Sequence, residues 1–341
     1  MENVTRTGHS SVYLGIDVGG TNIKAGVVAD DGTIISRSSV PTEASRGPDH
    51  GVNQMVAAAH QALQSTEFEL SLLPAVGLAT PGTMDIPKGM LLDPPNLPGW
   101  ENYPVQERLA ERLKRPTVLQ NDANAAAYGE YWAGSARNAR SLVFYTLGTG
   151  LGGGIIIDDT IIEGAHSHAS ECGHVIVEMD GGRLCATGQY GTLEAYCSAT
   201  ALMKQFREVV DSGGHSSVTD RLDDVTPLSP LLIGEEAERG DQLSEQLIME
   251  MARCLGAGIT SAVHVIDPEI VLLGGAMTFG RHETAIGRRF IERVRAEFRS
   301  RAFPTLAQEL TIDYATLGGN AGFIGAAGCA RRALLRGDFE K

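Results

Sequence analysis

Residues 141–162, SLVFYTLGTGLGGGIIIDDTII, can be laid on residues 15–35, GIDVGGTNIKAGVVADDGTII, with a shift of 129 positions. Gly19 then falls on Gly148, Val27-Val28 on Ile156-Ile157, and Asp30 on Asp159. Two further residues at the Asp-Gly turn of the first copy reduce the offset to 127, and Ile34-Ile35 meet Ile161-Ile162. A coincidence of glycine turn and strand would read the same way. A duplication predicts more: two similar α/β domains, each opening with a strand, a glycine turn and a strand, facing each other across a cleft. The 341-residue length suits that, since domains commonly run to roughly 100–200 residues.

The remaining pattern fills in such domains. Residues 12–40 carry apolar runs separated at Gly19-Gly20 and at Asp31-Gly32, which predicts a three-stranded antiparallel meander. A helix is expected over 48–66 and a buried strand over 75–80, followed by a Pro/Gly/Asn-rich loop over 81–100 that reads as a binding loop. A helix near 104–114, a strand at 117–120 and a helix over 122–132 come next. After the repeat, helices are expected over 192–212 and 241–265, the latter stopped at Asp267-Pro268, with a loose polar stretch at 213–230 between them. A strand running into Gly274-Gly275, a helix at 282–299, a strand at 310–315 and the small-residue helix GGNAGFIGAAGCARRA complete the chain.

Charge and cysteine usage exclude several classes. A net charge of −14 leaves no basic stripe for nucleic acid, although backbone N–H groups and a cation can still hold an anionic nucleotide. The five cysteines are odd in number and follow no disulfide framework, as expected for a reducing cytoplasm. The opening MENVTRTGHSSVYLG lacks the apolar stretch of a leader, and no run of ~18 apolar residues offers a membrane span. A soluble cytoplasmic protein is expected.

Several short patterns carry chemistry. GTGLGG, residues 148–153, satisfies the dinucleotide fingerprint, but a strand follows it where that fingerprint requires a helix. What remains is a pair of glycine turns, 17–21 and 147–154, rich in the successive amides that form anion-binding concavities. They read either as phosphate loops or as plain tight turns. Asp17 beside the first could orient the water shell of Mg²⁺. Asn121-Asp122 stands at a strand–helix junction, where it can cap the helix, or supply a carboxylate that accepts a proton from a substrate hydroxyl. Glu171, His174 and Glu194 form a set suited to the hydroxyls of a sugar ring, or else a solvent-facing glutamate and a satisfied histidine.

Taken together, GIDVGGTNIK (15–24), NDANAAAYGE (121–130), LGTGLGGG (147–154), ECGH (171–174) and LE (193–194) resemble the ROK family (repressor, open reading frame, kinase) of actin-like sugar kinases, and most closely its glucokinase-like members. The resemblance runs from about residue 12 to 330. It implies an actin-like ATPase (ribonuclease H-like) fold. A small domain would hold residues 1–121 with a C-terminal helix at about 320–341, and a larger one residues 122–319. It implies that Asp17, Gly19, Gly20, Thr21 and Lys24 serve phosphate and Mg²⁺, with Gly148, Thr149, Gly150, Gly152 and Gly153 as the second phosphate loop and Gly274-Gly275 against the adenosine of ATP. Asp122 matches the catalytic base, and Asn121, Asp122, Glu171, His174 and Glu194 match sugar contacts, joined by Asn96 of NLPGW. Homodimers or homotetramers are common in the family.

One stretch departs from the family pattern. Its members follow a histidine with C-x-C-G-x-x-G-C-x-E, in which one His and three Cys hold zinc. Here the stretch reads CATGQYGTLE: Cys185 remains, while Thr187 and Thr192 replace the other two thiols. Two nitrogen or sulfur ligands are too few for a structural zinc, so none is expected. The expected activity is ATP-dependent phosphorylation of glucose. The alternatives are fructose, mannose or an N-acetylated amino sugar as substrate, a donor other than ATP, or a sugar-sensing regulator. The regulators carry a DNA-binding module ahead of the fold, and only about 11 residues precede the first expected strand here.

Overall fold

The structure, a computed structural model, describes residues 11–339; residues 1–10, which bear on the leader expectation, and 340–341 lie outside the described residues. The elements run β1 Val12–Val18, β2 Asn22–Ala29, β3 Ile34–Pro41, α1 Pro48–Gln64, β4 Val76–Thr80, β5 Thr83–Asp85, β6 Met90–Asp93, α2 Val105–Leu113, β7 Thr117–Asn121 and α3 Asp122–Trp132. Then come β8 Ser141–Leu147, β9 Leu151–Ile157, β10 Thr160–Ile161, α4 Glu194–Cys197, α5 Ala199–Asp211, α6 Pro230–Glu238, α7 Gln242–Ile266, β11 Ile270–Gly275, α8 Ala285–Arg301, α9 Pro304–Glu309, β12 Thr311–Tyr314 and α10 Ala321–Arg336. They form two compact units: residues 11–138, 163–169 and 320–339, and residues 139–162 and 170–319.

The first unit is built on a five-stranded sheet in the order β3-β2-β1-β4-β7. The first three strands are the expected antiparallel meander, and β4 and β7 run parallel to β1. Their apolar sequences suit burial on both faces of a sheet. Gly15 and Gly77 are register partners on β1 and β4. A Cβ added at either would lie under 2 Å from a carbonyl oxygen of α10, at 1.8 Å from Phe323 O and 1.7 Å from Ala326 O. The small-residue composition of α10 therefore serves backbone-close packing on the sheet. The same helix touches α3 just as closely, since a Cβ at Gly325 would lie 1.6 Å from Ala125 O. That contact gives α3 to the first unit, whose division from the second follows residue 138 and not the expected 121.

The second unit repeats the design in the order β10-β9-β8-β11-β12, with β11 and β12 parallel to β8. The two sheets thus share one topology, as a duplication requires. The register corrects the sequence alignment by one residue. Val18 pairs with Ile23 across a four-residue turn, whereas Leu147 pairs with Leu151 across a three-residue turn. Val27-Val28 therefore correspond to Ile155-Ile156, and only one of the two missing residues belongs to the Asp-Gly turn.

Other differences are local. The 81–100 loop contains the β5–β6 hairpin. The helix expected over 192–212 breaks at Ser198, whose side chain caps α5 by accepting from Ala201 N. The polar stretch 213–230 is tied down: Ser216 Oγ and Ser217 N donate to Asp241, the capping residue of α7, and Val218 is wholly buried. Helix α6 closes that stretch, and α9 fills the gap before β12. Among the described residues no helix is long and apolar enough to cross a membrane.

Candidate active site

In open α/β sheets, ligands bind beyond the carboxyl ends of the parallel strands. In the first unit those ends belong to β1, β4 and β7, and they carry Asp17 with the first glycine turn, and Asn121-Asp122. Asp17 is half-buried, with Lys24 as its cross-strand partner. Its carboxylate also lies against the first turn of α10, where a Cβ on Gly322 would stand 2.3 Å from Oδ2. Burial pushes the Asp17 carboxyl up to about 6, and the Lys24 ammonium opposes the rise.

The glycine turn is held from outside. Thr42 Oγ1 donates to Gly19 O at 2.6 Å, Thr42 N donates to Thr21 O at 2.9 Å, and Gly19 N closes the turn on Asn22 O at 2.9 Å. Among the described residues, the Gly20 and Thr21 N–H groups reach no acceptor. Two adjacent open amides are what an anion-binding concavity needs. Asn96 stands over this turn, its carbonyl oxygen 3.3 Å from where a Gly20 Cβ would be. The loop that carries Asn96 is pinned by the buried Leu97 and Trp100, whose indole N–H donates to Ala44 O at 3.3 Å.

Asn121 ends β7 and caps α3. Its Oδ1 accepts from Ala123 N at 2.9 Å and Asn124 N at 3.2 Å, and Asp122 Oδ1 also accepts from Ala123 N at 2.9 Å. The capping reading of the junction therefore holds, with Asn121 as the cap. With its carbonyl oxygen engaged, Asn121 has only its amide N–H groups to offer a ligand. Nearby, the hydroxyl of Thr80 and Oδ1 of Asn124 are buried and have no hydrogen-bond partner among the described residues.

In the second unit the equivalent strand ends are those of β8, β11 and β12. The turn after β8 closes through Gly148 N to Gly150 O at 3.0 Å, and its carbonyls accept from Ala199 N and from Thr200. Among the described residues the Thr149 and Gly150 N–H groups have no acceptor, so both copies leave the same pair of amides open. Gly274 and Gly275 end β11, and Leu147 O crowds Gly275 so closely that an added Cβ would come within 2.2 Å. Glu171 is exposed and His174 half-buried, flanking a short helical turn at Cys172–His174. That turn packs on β9: a Cβ at Gly173 would lie 2.0 Å from Leu151 O, and one at Gly153 2.4 Å from Ser170 O. Gly152 lies in β9 between them.

Glu194 is brought directly to the glycine turn. Its Oε2 accepts from Leu151 N at 2.8 Å and its Oε1 from the Cys185 thiol at 2.9 Å. Thr187 Oγ1 lies 3.3 Å from Cys185 Sγ and also meets Gln189 Oε1, while the Thr192 hydroxyl is buried without a partner among the described residues. This donor set does not fit zinc, and no group of three or more His, Cys, Asp or Glu among the described residues could hold a metal ion. Thr42, Gly322 and Cys185 are the positions that sequence reasoning missed or misassigned. Thr42 and Gly322 act over long sequence separations and carry no local signal, while Cys185 sits in a stretch whose pattern pointed to a metal.

Comparison with known proteins agrees with this geometry. The ROK family profile matches residues 13–333. A glucokinase of Halalkalibacterium halodurans is 31% identical over 313 residues, covering 92% of this chain and 93% of that one. The crystal structure of a ROK hexokinase from Thermus thermophilus superposes with a TM-score of 0.79 at 30% identity, covering 95% of this chain and 99% of that one. The structure of a ROK family glucokinase from Streptomyces griseus, in complex with glucose and AMPPNP, gives 0.78 at 32% identity over 94% and 100%. The duplicated sheets are those of the actin-like ATPase fold. Fold, motif order and near-complete coverage agree: the chain belongs to the ROK family.

Proposed function

We propose that this protein transfers the γ-phosphoryl group of ATP to the 6-hydroxyl of glucose. The observation that carries the proposal is the near-full-length similarity to glucokinases, in a chain whose Asp122 opens a helix already capped by Asn121. The hydroxyl oxygen attacks the γ-phosphorus in line, its proton passes to an Asp122 oxygen, and the bond to the β–γ bridging oxygen breaks to release ADP. The N-terminus of α3 favours the ionised form of Asp122 until that proton arrives.

The other roles divide by chemistry. Asn121 donates to a ring hydroxyl, because its carbonyl oxygen is engaged in the cap. Glu171, His174 and Glu194 supply further partners for the ring, and Asn96 reaches one more hydroxyl. The open amides at Gly20, Thr21, Thr149 and Gly150, with Lys24, hold phosphate oxygens, and Gly274-Gly275 lie against the adenosine. Asp17 fits a Mg²⁺ held through water, since a desolvated carboxylate gains from a cation; that ion would neutralise phosphate charge when bound. Water exclusion by the sugar-bound protein favours transfer over hydrolysis. The proposal extends to a cytoplasmic homodimer or homotetramer.

The test is ADP release from Mg-ATP over a panel of hexoses, with Asp122→Ala beside the parent. Loss of a positioned base costs roughly 10²–10⁴-fold in rate. Turnover of another sugar in preference to glucose corrects the substrate, and sugar-dependent release that survives in the variant removes Asp122 from the mechanism.

A further inference from the structure

Cys185 is the one thiol of the loop at 185–192, and a tight turn presents it: Cys185 N donates to Gln189 O at 2.8 Å and Gly188 N donates back to Cys185 O at 3.1 Å. The side chain is buried, and its S–H points at Glu194 Oε1, 2.9 Å away. The other carboxylate oxygen, Oε2, is fixed by Leu151 N–H, the first amide of β9 after the open turn. Gly150 packs on that oxygen so closely that a Cβ there would come within 2.5 Å.

A carboxylate offers about four lone-pair sites on its two oxygens. Here one site on each oxygen is taken, by donors from different segments, and this fixes both the plane and the rotamer of the group. The remaining sites keep a set direction toward any ligand hydroxyl. With the Cys185 donor removed, Glu194 would hinge on the single bond from Leu151, and an adaptable carboxylate discriminates hydroxyls poorly.

We propose that Cys185 is a positioning residue for sugar recognition: its thiol orients Glu194 by a direct hydrogen bond, a task performed in this chain without a metal. The proposal rests on the reading of Glu194 as a sugar contact in a glucose kinase. Thr187, placed against Sγ, backs the thiol from behind.

The test compares the parent with Cys185→Ala and Cys185→Ser, by steady-state kinetics against glucose and Mg-ATP, by calorimetric titration with glucose alone, and by thermal unfolding. Losing one hydrogen bond to a charged acceptor is expected to raise the glucose KM and Kd about tenfold in Cys185→Ala. The ATP KM stays at the parent value, and Cys185→Ser, which keeps a donor on a shorter bond, recovers most of the loss. A glucose KM in Cys185→Ala equal to the parent's overturns the proposal. So does a failure of serine to rescue, or a loss of glucose and ATP affinity in parallel with a lowered Tm, which would mark a packing role. Parent protein that neither binds nor turns over glucose removes the kinase reading and this proposal together, whereas active parent with an unaltered alanine variant removes this proposal alone.

Discussion

Asp17→Asn should make the protein more stable and less active, and the size of the gain follows from the carboxyl's surroundings. Burial raises the Asp17 carboxyl from 3.8 to about 6. The native state therefore holds a proton between about pH 4 and pH 6 that the unfolded chain releases. Stability contributed by this group falls as pH rises through that window and stays low above it. At ~1.4 kcal/mol per pH unit, the cost of keeping the carboxylate ionised at pH 7.5 is at most about 3 kcal/mol, falling to about 1 kcal/mol at pH 4.5. The asparagine variant is isosteric and carries no such charge. Urea denaturation at the two pH values should show it more stable by up to about 3 kcal/mol at the higher and by about 1 kcal/mol at the lower. Its turnover, and the dependence of turnover on Mg²⁺ concentration, should fall together. A variant no more stable than the parent at pH 7.5, or equally stabilised at both pH values, would refute the desolvation argument. A stabilised variant with unchanged turnover would show that the strained carboxylate has no part in the reaction.

The remaining perturbations separate placement from folding. Gly322→Ala forces Asp17 to swing away, since the new methyl group would lie 2.3 Å from its Oδ2. An off-rotamer cost of about 1 kcal/mol is nearly offset by a similar gain in helix propensity. Denaturation should thus change little, while kcat falls about 100-fold, as misplacement by about 1 Å commonly does; an unfolded or a fully active variant would contradict the steric argument. Asn121→Ala removes a cap that accepts two N–H bonds and should cost about 1 kcal/mol, whereas Asn121→Asp keeps the acceptor, holding stability while raising the glucose KM. Trp100→Ala empties a fully buried site and should cost about 3–5 kcal/mol by denaturation, with release of the Asn96 loop read as weaker glucose binding.

What could be read in advance was local or periodic. The meander of β1–β3, the strand–helix junction at Asn121-Asp122 and the proline stop after α7 each depend on neighbours within a few residues, and each stands where its pattern put it. The bond between Thr42 and Gly19 joins positions 23 residues apart, and the approach of Gly322 to Asp17 spans nearly the whole chain. No window of sequence contains such a pair. Cys185 shows a second kind of failure. Its sequence surroundings pointed to a metal-site remnant, but an acceptor brought in from Glu194 sets what the thiol does.

The duplication explains why the two glycine turns look alike, and their flanking residues show where they differ. Both leave two adjacent amides open, at Gly20-Thr21 and at Thr149-Gly150. An anion-binding capacity is thus a property of the turn itself, present in either copy. The flanking residues differ. Where β1 and β2 set Asp17 opposite Lys24, β8 and β9 set Thr146 opposite Gly152, so the first copy carries a strand carboxylate beside the turn and the second a threonine. The first turn is also one residue longer, and Asn96 stands over it. In the second copy a carboxylate arrives from elsewhere in the chain, as Glu194 bonded to Leu151 N just past the open amides. One turn thus stands beside a desolvated carboxylate faced across the strands by Lys24, and the other beside a carboxylate held by two donors. A carboxylate so satisfied is a poor metal ligand and a well-oriented acceptor for a hydroxyl, which is the part the proposed function gives Glu194, whereas Asp17 is the carboxylate it gives to the cation.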